Sequence, residues 1–346
     1  MSEVNQALAL IESGGDNLKV MITLEVLHMS ILVTGGAGVI GATVVKQLVA
    51  HGAEVVVFDL RDDRSLLGNV EVPIECGDIC DKSLLVRVMR CYGVEKIVHL
   101  AAVMPDWAQE NPFEASRINT WGLVIVLEAA REAGIARTVF TSSKAVIGRV
   151  AGPHMHPDYA PVSEEIGTHP YNVYGATKLA AEVLGKQLAL ESGLDLTVLR
   201  LTSTYGPGKT VRHGKLGILS AIIEGAFRGE SVRLPSGADL RNDFLYCKDI
   251  AQAVIKALAA PHTGFHLCHI GSGRLASLTD FVIAVRRGIP YADIEIGAGL
   301  DYGGGAGQYF RMDIQAARDI LGYEPEYDVE KGVADYVQTI SSQAEV

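Results

Sequence analysis

Cysteine is scarce in this 346-residue chain, with Cys76, Cys80, Cys91, Cys247 and Cys268 unpatterned and no C-x-x-C pair among them. An odd set of scattered thiols excludes a disulfide scaffold and a structural zinc site, and points to a reducing, cytoplasmic setting. Clusters of lysine and arginine are also missing, and the formal charge is −11. That field argues against nucleic acid as a partner. No apolar run reaches the ~18 residues a membrane span requires. Internal repeats and low-complexity tracts are absent as well. Residues 1–28 lack the basic start of a signal peptide and contain Glu3, Glu12 and Asp16. They are expected to be an N-terminal extension outside the globular core.

Apolar residues make up 48% of the chain and charged residues 21%, the mix of a globular protein with a large core. From residue 30, short apolar runs alternate with helical patterns. Strands are expected at 30–36, 53–60, 72–79, 95–102, 136–143 and 194–203, with helices between them. The runs are continuous in valine, leucine and isoleucine, as in strands buried on both faces. The rhythm predicts an α/β fold, a Rossmann-type doubly wound parallel sheet spanning residues 29–203. After residue 203 glycine and proline cluster, as in "YGPGKTVRHGKLG" and the loop 296–308. Residues 204–346 therefore read mainly as a smaller C-terminal substrate lobe, with helix 248–260 returning to pack on the sheet.

The first strand runs into "TGGAGVIG", residues 34–41, which places Gly35, Gly36, Gly38 and Gly41 ahead of a helix. Glycines there permit a tight turn and let a pyrophosphate approach bare backbone amides at a helix N-terminus. Val39 and Ile40 lie in the same turn. Asp59 ends the next strand, where a carboxylate binds ribose hydroxyls and repels an added phosphate. The expected cofactor is therefore NAD, with NADP disfavoured although Arg61 follows closely.

With those elements in place, the chain resembles the extended short-chain dehydrogenase/reductase family of NAD-dependent epimerases and dehydratases, over about residues 30–340. The motifs run in order: TGGAGVIG, "GDI" (77–79), "HLAA" (99–102), Asn119, "TSS" (141–143), YGATK (174–178), "LRLTSTYGPG" and "LGYEPEYDVEKGV". The resemblance implies that Asp78 and Ile79 lie by the adenine. It implies that Leu100, Ala101 and Ala102 line the cofactor groove and that Asn119 joins its hydrogen-bond network. A homodimer built on the helices around 116–133 and 171–191 is a further implication.

Within "HPYNVYGATK", Tyr171 and Tyr174 compete for the role of partner to Lys178. Residues four apart on a helix are ~6 Å apart on one face, which favours Tyr174, and the family's Y-x-x-x-K motif selects the same residue. An alcohol losing hydride must also lose its hydroxyl proton, so a tyrosine general base suits the chemistry. Lowering a free tyrosine from pH ~10 to about 7 takes on the order of 4 kcal/mol. A lysine ammonium and a positive nicotinamide ring are the expected sources, and the family implies that Lys178 also holds the nicotinamide ribose. Ser143 is expected to hold the substrate oxygen, with Ser142 its neighbouring candidate.

The dehydratases carry Asp-Glu directly after the catalytic Ser/Thr, and related decarboxylases a glutamate in the second position. Lys144 and Ala145 stand there instead and disfavour both reactions. Nucleotide-sugar enzymes of the family usually have asparagine where Ser203 stands and arginine where Asn242 stands. Here Arg241 sits one residue early, Ile147 replaces a common tyrosine, and the late loop "GGGAGQYF" has lost its usual arginine. Arginine forks grip diphosphates best, so the expected substrate is a smaller hydroxylated sugar or sugar acid. Ser142, Ser143, Ser203 and Arg241 are the candidate substrate residues, with Arg233, Lys209, Arg212 and His213 as further basic groups. The expected enzyme is an NAD-dependent dehydrogenase of a secondary alcohol. The alternatives are a (nucleotide-)sugar epimerase sharing Ser143, Tyr174 and Lys178, and a non-catalytic NAD-binding regulator. His154 and His156 form an H-x-H pair, but flanking prolines suggest a loop, and no metal is expected. Glu164 and Glu165 in the same segment are expected to be structural.

Overall fold

The computed structural model describes residues 29–135, 137–209, 217–261 and 263–344. The expected extension at 1–28, and Arg212 and His213, lie outside the described residues.

Seven parallel strands form the central sheet: β1 (Ser30–Thr34), β2 (Glu54–Asp59), β3 (Ile74–Cys76), β4 (Lys96–His99), β5 (Arg137–Ser143), β6 (Asp195–Leu201) and, after the short pieces β7 (Ser203–Tyr205), β8 (Val232–Leu234), β9 (Arg241–Asn242) and β10 (Phe244–Tyr246), β11 (Phe265–Ile270). Their spatial order is β11-β6-β5-β4-β1-β2-β3. Ile31, Leu32, Val33, Ile97, Val98, Val139 and Val198 are fully buried, as their continuous apolar runs demand. β1 pairs with β2 on one side and β4 on the other, so the strand order reverses there and a crevice opens at the carboxyl ends.

Six of these strands were legible as apolar runs, and β11 was not. Its sequence "FHLCHI" carries two histidines that interrupt the apolar run, and it falls within residues 204–346, expected to form mainly the second lobe. It pairs in register with β6, from Phe265 opposite Leu196 to Ile270 opposite Leu201. His269 fits because it is buried neutral, with Nδ1 against the carbonyl of Val162 at 3.0 Å and burial pulling it down to about 4.

The helix Cys247–Ala259 packs on the helix Val39–Ala50 and on β5. A second core forms around Tyr205, Tyr246, Phe244 and Phe281. Around it, β7 pairs with β10, β8 with β13 (Ile294–Ile296), and β9 with β12 (Ala276–Ser277). The β7–β10 pair lies at the carboxyl end of β6, because β7 follows β6 after a single residue.

Candidate active site

The glycine loop is built by steric exclusion. Gly35 has φ +71°, and a Cβ there would lie 2.7 Å from the amide nitrogen of Ala101. A Cβ on Gly41 would lie 2.1 Å from the carbonyl oxygen of Gly35. Gly38 caps the following helix with no side-chain hydrogen bond, so the first helical amides remain open to an anion. Val39 packs into the core of that turn, while Ile40 is half-buried. Asp59 closes the cradle: one oxygen accepts from the Ala37 amide at 3.1 Å, the other from the Leu60 amide at 2.8 Å. These features fit a dinucleotide, whose pyrophosphate needs close backbone approach and whose ribose needs a strand-end carboxylate.

Leu100, Ala101 and Ala102 follow β4 as a half-buried strip beside Gly35. Ile79 is buried against Gly122. The Asp78 carboxylate is paired with Arg117 at 2.9 Å, which holds its carboxyl below the usual range. Arg117 lies in a π-helical turn, Ser116–Trp121, that a helical periodicity does not reveal. Asn119 sits in the same turn. Its Oδ1 accepts from the Val103 amide at 2.8 Å, and its Nδ2 donates to Thr177 Oγ1 at 3.1 Å. One side chain thereby ties the loop after β4 to the helix that carries Tyr174 and Lys178.

That helix, Val173–Ser192, starts at Asn172, whose side chain accepts from the Gly175 amide at 2.8 Å. Gly175 lets it approach the segment after β5, since a Cβ there would sit 2.5 Å from the Ala145 carbonyl oxygen. Farther along, Glu182 forms a buried pair with Arg200 of β6 at 2.6 Å, fixing the helix on the sheet. Tyr174 is buried, whereas Tyr171 is 45% exposed with the Arg149 guanidinium 5.5 Å over its ring. The structure therefore brings Tyr174, and not Tyr171, to the end of β5.

Ser143, the last residue of β5, caps the short turn that follows by accepting from the Ala145 amide at 3.2 Å, and its hydroxyl is near enough to Tyr174 to favour the phenolate. Lys178 donates to the Thr141 carbonyl at 2.9 Å and lies 4.7 Å from the Phe140 ring centre. Ser142 is buried with its hydroxyl unpartnered among the described residues, as is Nε2 of His99. The electrostatics differ from the expectation of a lysine that acidifies the tyrosine. Burial pushes Tyr174 up to about 12, with the Ser143 hydroxyl opposing, and burial pulls Lys178 down to about 7, with Glu182 opposing. Burial thus shifts both groups toward their neutral forms, so acidifying the tyrosine calls for positive charge beyond that of Lys178.

On the substrate side, Asn242 is fully buried and donates to Ser203 Oγ at 2.8 Å. Two departures from the family pattern thus bond to each other. Arg241 points outward, engaged through its backbone amide with Tyr159 at 3.3 Å. Lys209 folds back on Thr204, and Arg233 pairs with Asp293 at 2.7 Å. Sequence reasoning passed over Lys144 except as the residue standing in place of an acid. Its ammonium reaches the Gln308 carbonyl at 2.8 Å and Asn242 Oδ1 at 3.5 Å. The glycine-rich loop above is organised by Asp301, which accepts from the amides of Gly303, Gly304 and Gly305 at 2.8–2.9 Å and from Tyr309. Glu164 accepts from the His269 amide at 2.6 Å, and His154 faces the Ala160 carbonyl at 3.0 Å. No metal-ligating cluster occurs among the described residues, and no helix among them is long and apolar enough to cross a membrane.

A family model for the NAD dependent epimerase/dehydratase family matches residues 31–271. The chain is 29% identical to a putative UDP-glucose 4-epimerase of Methanocaldococcus jannaschii, covering 88% of this chain and 95% of that one. It is 30% identical to a UDP-glucose 4-epimerase of Lacticaseibacillus casei, covering 87% and 93%. The crystal structure of the Thermotoga maritima UDP-glucose 4-epimerase with UDP-glucose superposes with a TM-score of 0.79 at 27% identity, over 91% of this chain and all of that one. The protein belongs to the NAD-dependent epimerase/dehydratase family, and its cofactor is NAD.

Proposed function

We propose that the protein is an NAD-dependent epimerase that inverts a secondary-alcohol carbon of a nucleotide-activated sugar. The observation that carries this reading is the buried Tyr174, one helical turn before Lys178 on the helix Val173–Ser192, which packs at Gly175 against the segment after Ser143. The choice of epimerase over dehydrogenase leans on the relatives, which are named as 4-epimerases over most of their length. NAD, when bound, supplies the hydride acceptor and, on return, the donor. Ser143 holds the reacting oxygen. Tyr174 removes its proton as the carbonyl forms and returns it when the carbon is reduced from the other face. Lys178, steered by the Thr141 carbonyl, orients the nicotinamide ribose, and Asn119 fixes its helix against the cofactor groove. Gly35, Gly38 and Gly41 hold the pyrophosphate and Asp59 the adenosine ribose. A regulator without turnover would have no use for a buried tyrosine paired in this way.

The test incubates purified protein with NAD and a panel of nucleotide sugars, sugars and sugar acids, following NADH and analysing products. An epimerised nucleotide sugar without net NADH supports the reading. NADH accumulating in proportion to a free sugar or sugar acid overturns it in favour of a dehydrogenase.

We also propose a homodimer in the cytoplasm. Trp121, Val183, Leu184 and Leu190 are exposed on the two helical segments expected to pair, with Trp121 at 54% and Leu190 at 62%. All five cysteines are free thiols. Leu184→Glu is expected to give monomers in light scattering, and a wild type that runs as a monomer sinks the dimer.

A further inference from the structure

Departures from the family pattern at four scattered positions meet at one point. Lys144 comes directly after Ser143, Ser203 begins β7, Asn242 ends β9, and Gln308 belongs to the late loop. The Lys144 ammonium donates to Gln308 and Asn242 and lies 5.0 Å from the Phe310 ring centre. Asn242 passes the network on to Ser203 at 2.8 Å.

Every oxygen that Lys144 touches is neutral, and no carboxylate forms an ion pair with it among the described residues. Asp243 acts on it electrostatically, but that carboxylate is held by the amide and hydroxyl of Ser272, both at 2.7 Å, and by the Met312 amide. A half-buried ammonium with no carboxylate in contact, only Asp243 acting at a distance, keeps a donor free for an anion. It also has three N–H donors, of which two face the neutral acceptors. The other described basic groups proposed for the substrate side are engaged or turned outward, as Lys209, Arg233 and Arg241 are.

We infer that Lys144 is a substrate-binding residue whose ammonium receives an anionic oxygen group, a phosphate or a carboxylate, in the space between Ser143 and Asn242. This deepens the proposed function and rests on it in taking Ser143 as the point where substrate enters. The positive charge absent from position 242 is thereby relocated to position 144. A neutral pair, Asn242 and Ser203, then frames the site without repelling the cation.

Calorimetric titration of the NAD-loaded protein with UDP and, separately, with glucuronate tests the assignment. Lys144→Gln keeps a donor for Gln308 but removes the charge, and Lys144→Arg restores it. Lys144→Gln is expected to weaken one of the two anions by about 10-fold or more, as for a lost charge-assisted hydrogen bond. Lys144→Arg should recover most of that loss, with NAD affinity and melting temperature unchanged in both. Loss confined to UDP assigns a phosphate, and loss confined to glucuronate a carboxylate. Unchanged affinity for both anions in Lys144→Gln, or no binding of either by the wild type, overturns the inference. So does a melting temperature that falls in step with affinity, because a structural lysine predicts that result. Turnover is not read, so the epimerase reading can fail while this assignment stands.

Discussion

The two walls of the cleft are made differently. The cofactor wall is backbone: bare glycines, open helical amides and a strip of alanines after β4, with Asp59 and Asn119 as braces. The proposed substrate wall is side chain: Lys144, Ser203 and Asn242 converge from distant segments into one part-buried network. A wall of main chain tolerates little change, because any added atom collides with it. A wall of side chains can be rewritten one residue at a time while the fold stays, and this chain has rewritten at least three.

The sharpest way to break this comparison is at the join between the walls. Tyr174→Phe keeps the ring and removes the proton carrier, so turnover should fall on the order of 10³-fold while NAD binding is retained. A fully active variant would remove Tyr174 from the mechanism. Gly41→Ala tests the backbone wall. Its Cβ would sit 2.1 Å from the Gly35 carbonyl oxygen, so NAD affinity should fall at least ~100-fold, about 3 kcal/mol by fluorescence titration. Retained affinity would mean that the loop has room to spare.

Asn242→Ala tests the side-chain wall. It strips partners from Ser203 and from the Phe310 amide, a cost of about 1–3 kcal/mol. The loss should raise substrate KM roughly 10-fold and leave NAD affinity alone. Weaker NAD binding in this variant would show that the walls are not independent. The effect that is smallest at neutral pH, and grows only in acid, concerns His99, which is fully buried, stacked on Phe140 and bonded through Nδ1 to Thr34 at 2.7 Å. Burial lowers it to about 3, so between that pH and ~6.5 the unfolded chain takes up a proton that the folded protein refuses. Its neutral burial therefore costs nothing above ~6.5 and erodes stability as the pH falls, by up to ~1.4 kcal/mol per pH unit. His99→Asn should melt with a flatter acid limb than the wild type, and parallel limbs would refute the assignment.

How legible each wall was from sequence follows from how it is made. Buried parallel strands are continuous apolar runs, and a glycine cradle is written in consecutive residues, so both could be read directly. β11 escaped because its two histidines broke the apolar run, and the turn holding Asn119 escaped because its period is not that of an α-helix. The Lys144 network was illegible for a different reason: its partners lie 98 and 164 residues away. Missing arginines read as lost charge, which favoured a small substrate over a nucleotide sugar. In the structure the Lys144 ammonium, from just past the end of β5, lies 3.5 Å from Asn242 Oδ1. The Tyr174–Lys178 spacing was readable, but the desolvation that shifts both groups toward their neutral forms depends on burial, which no spacing encodes.

The late loop has six glycines between residues 297 and 307, and a segment of that composition would wander if it were tethered only at its ends. Asp301 gathers three successive amides and a tyrosine hydroxyl onto one carboxylate. Ordering a residue's backbone costs about 1–2 kcal/mol of entropy, and here that cost falls at folding, before any ligand arrives. If Lys144 receives an anion as proposed, the roof above it is ordered beforehand, and binding there costs little further entropy.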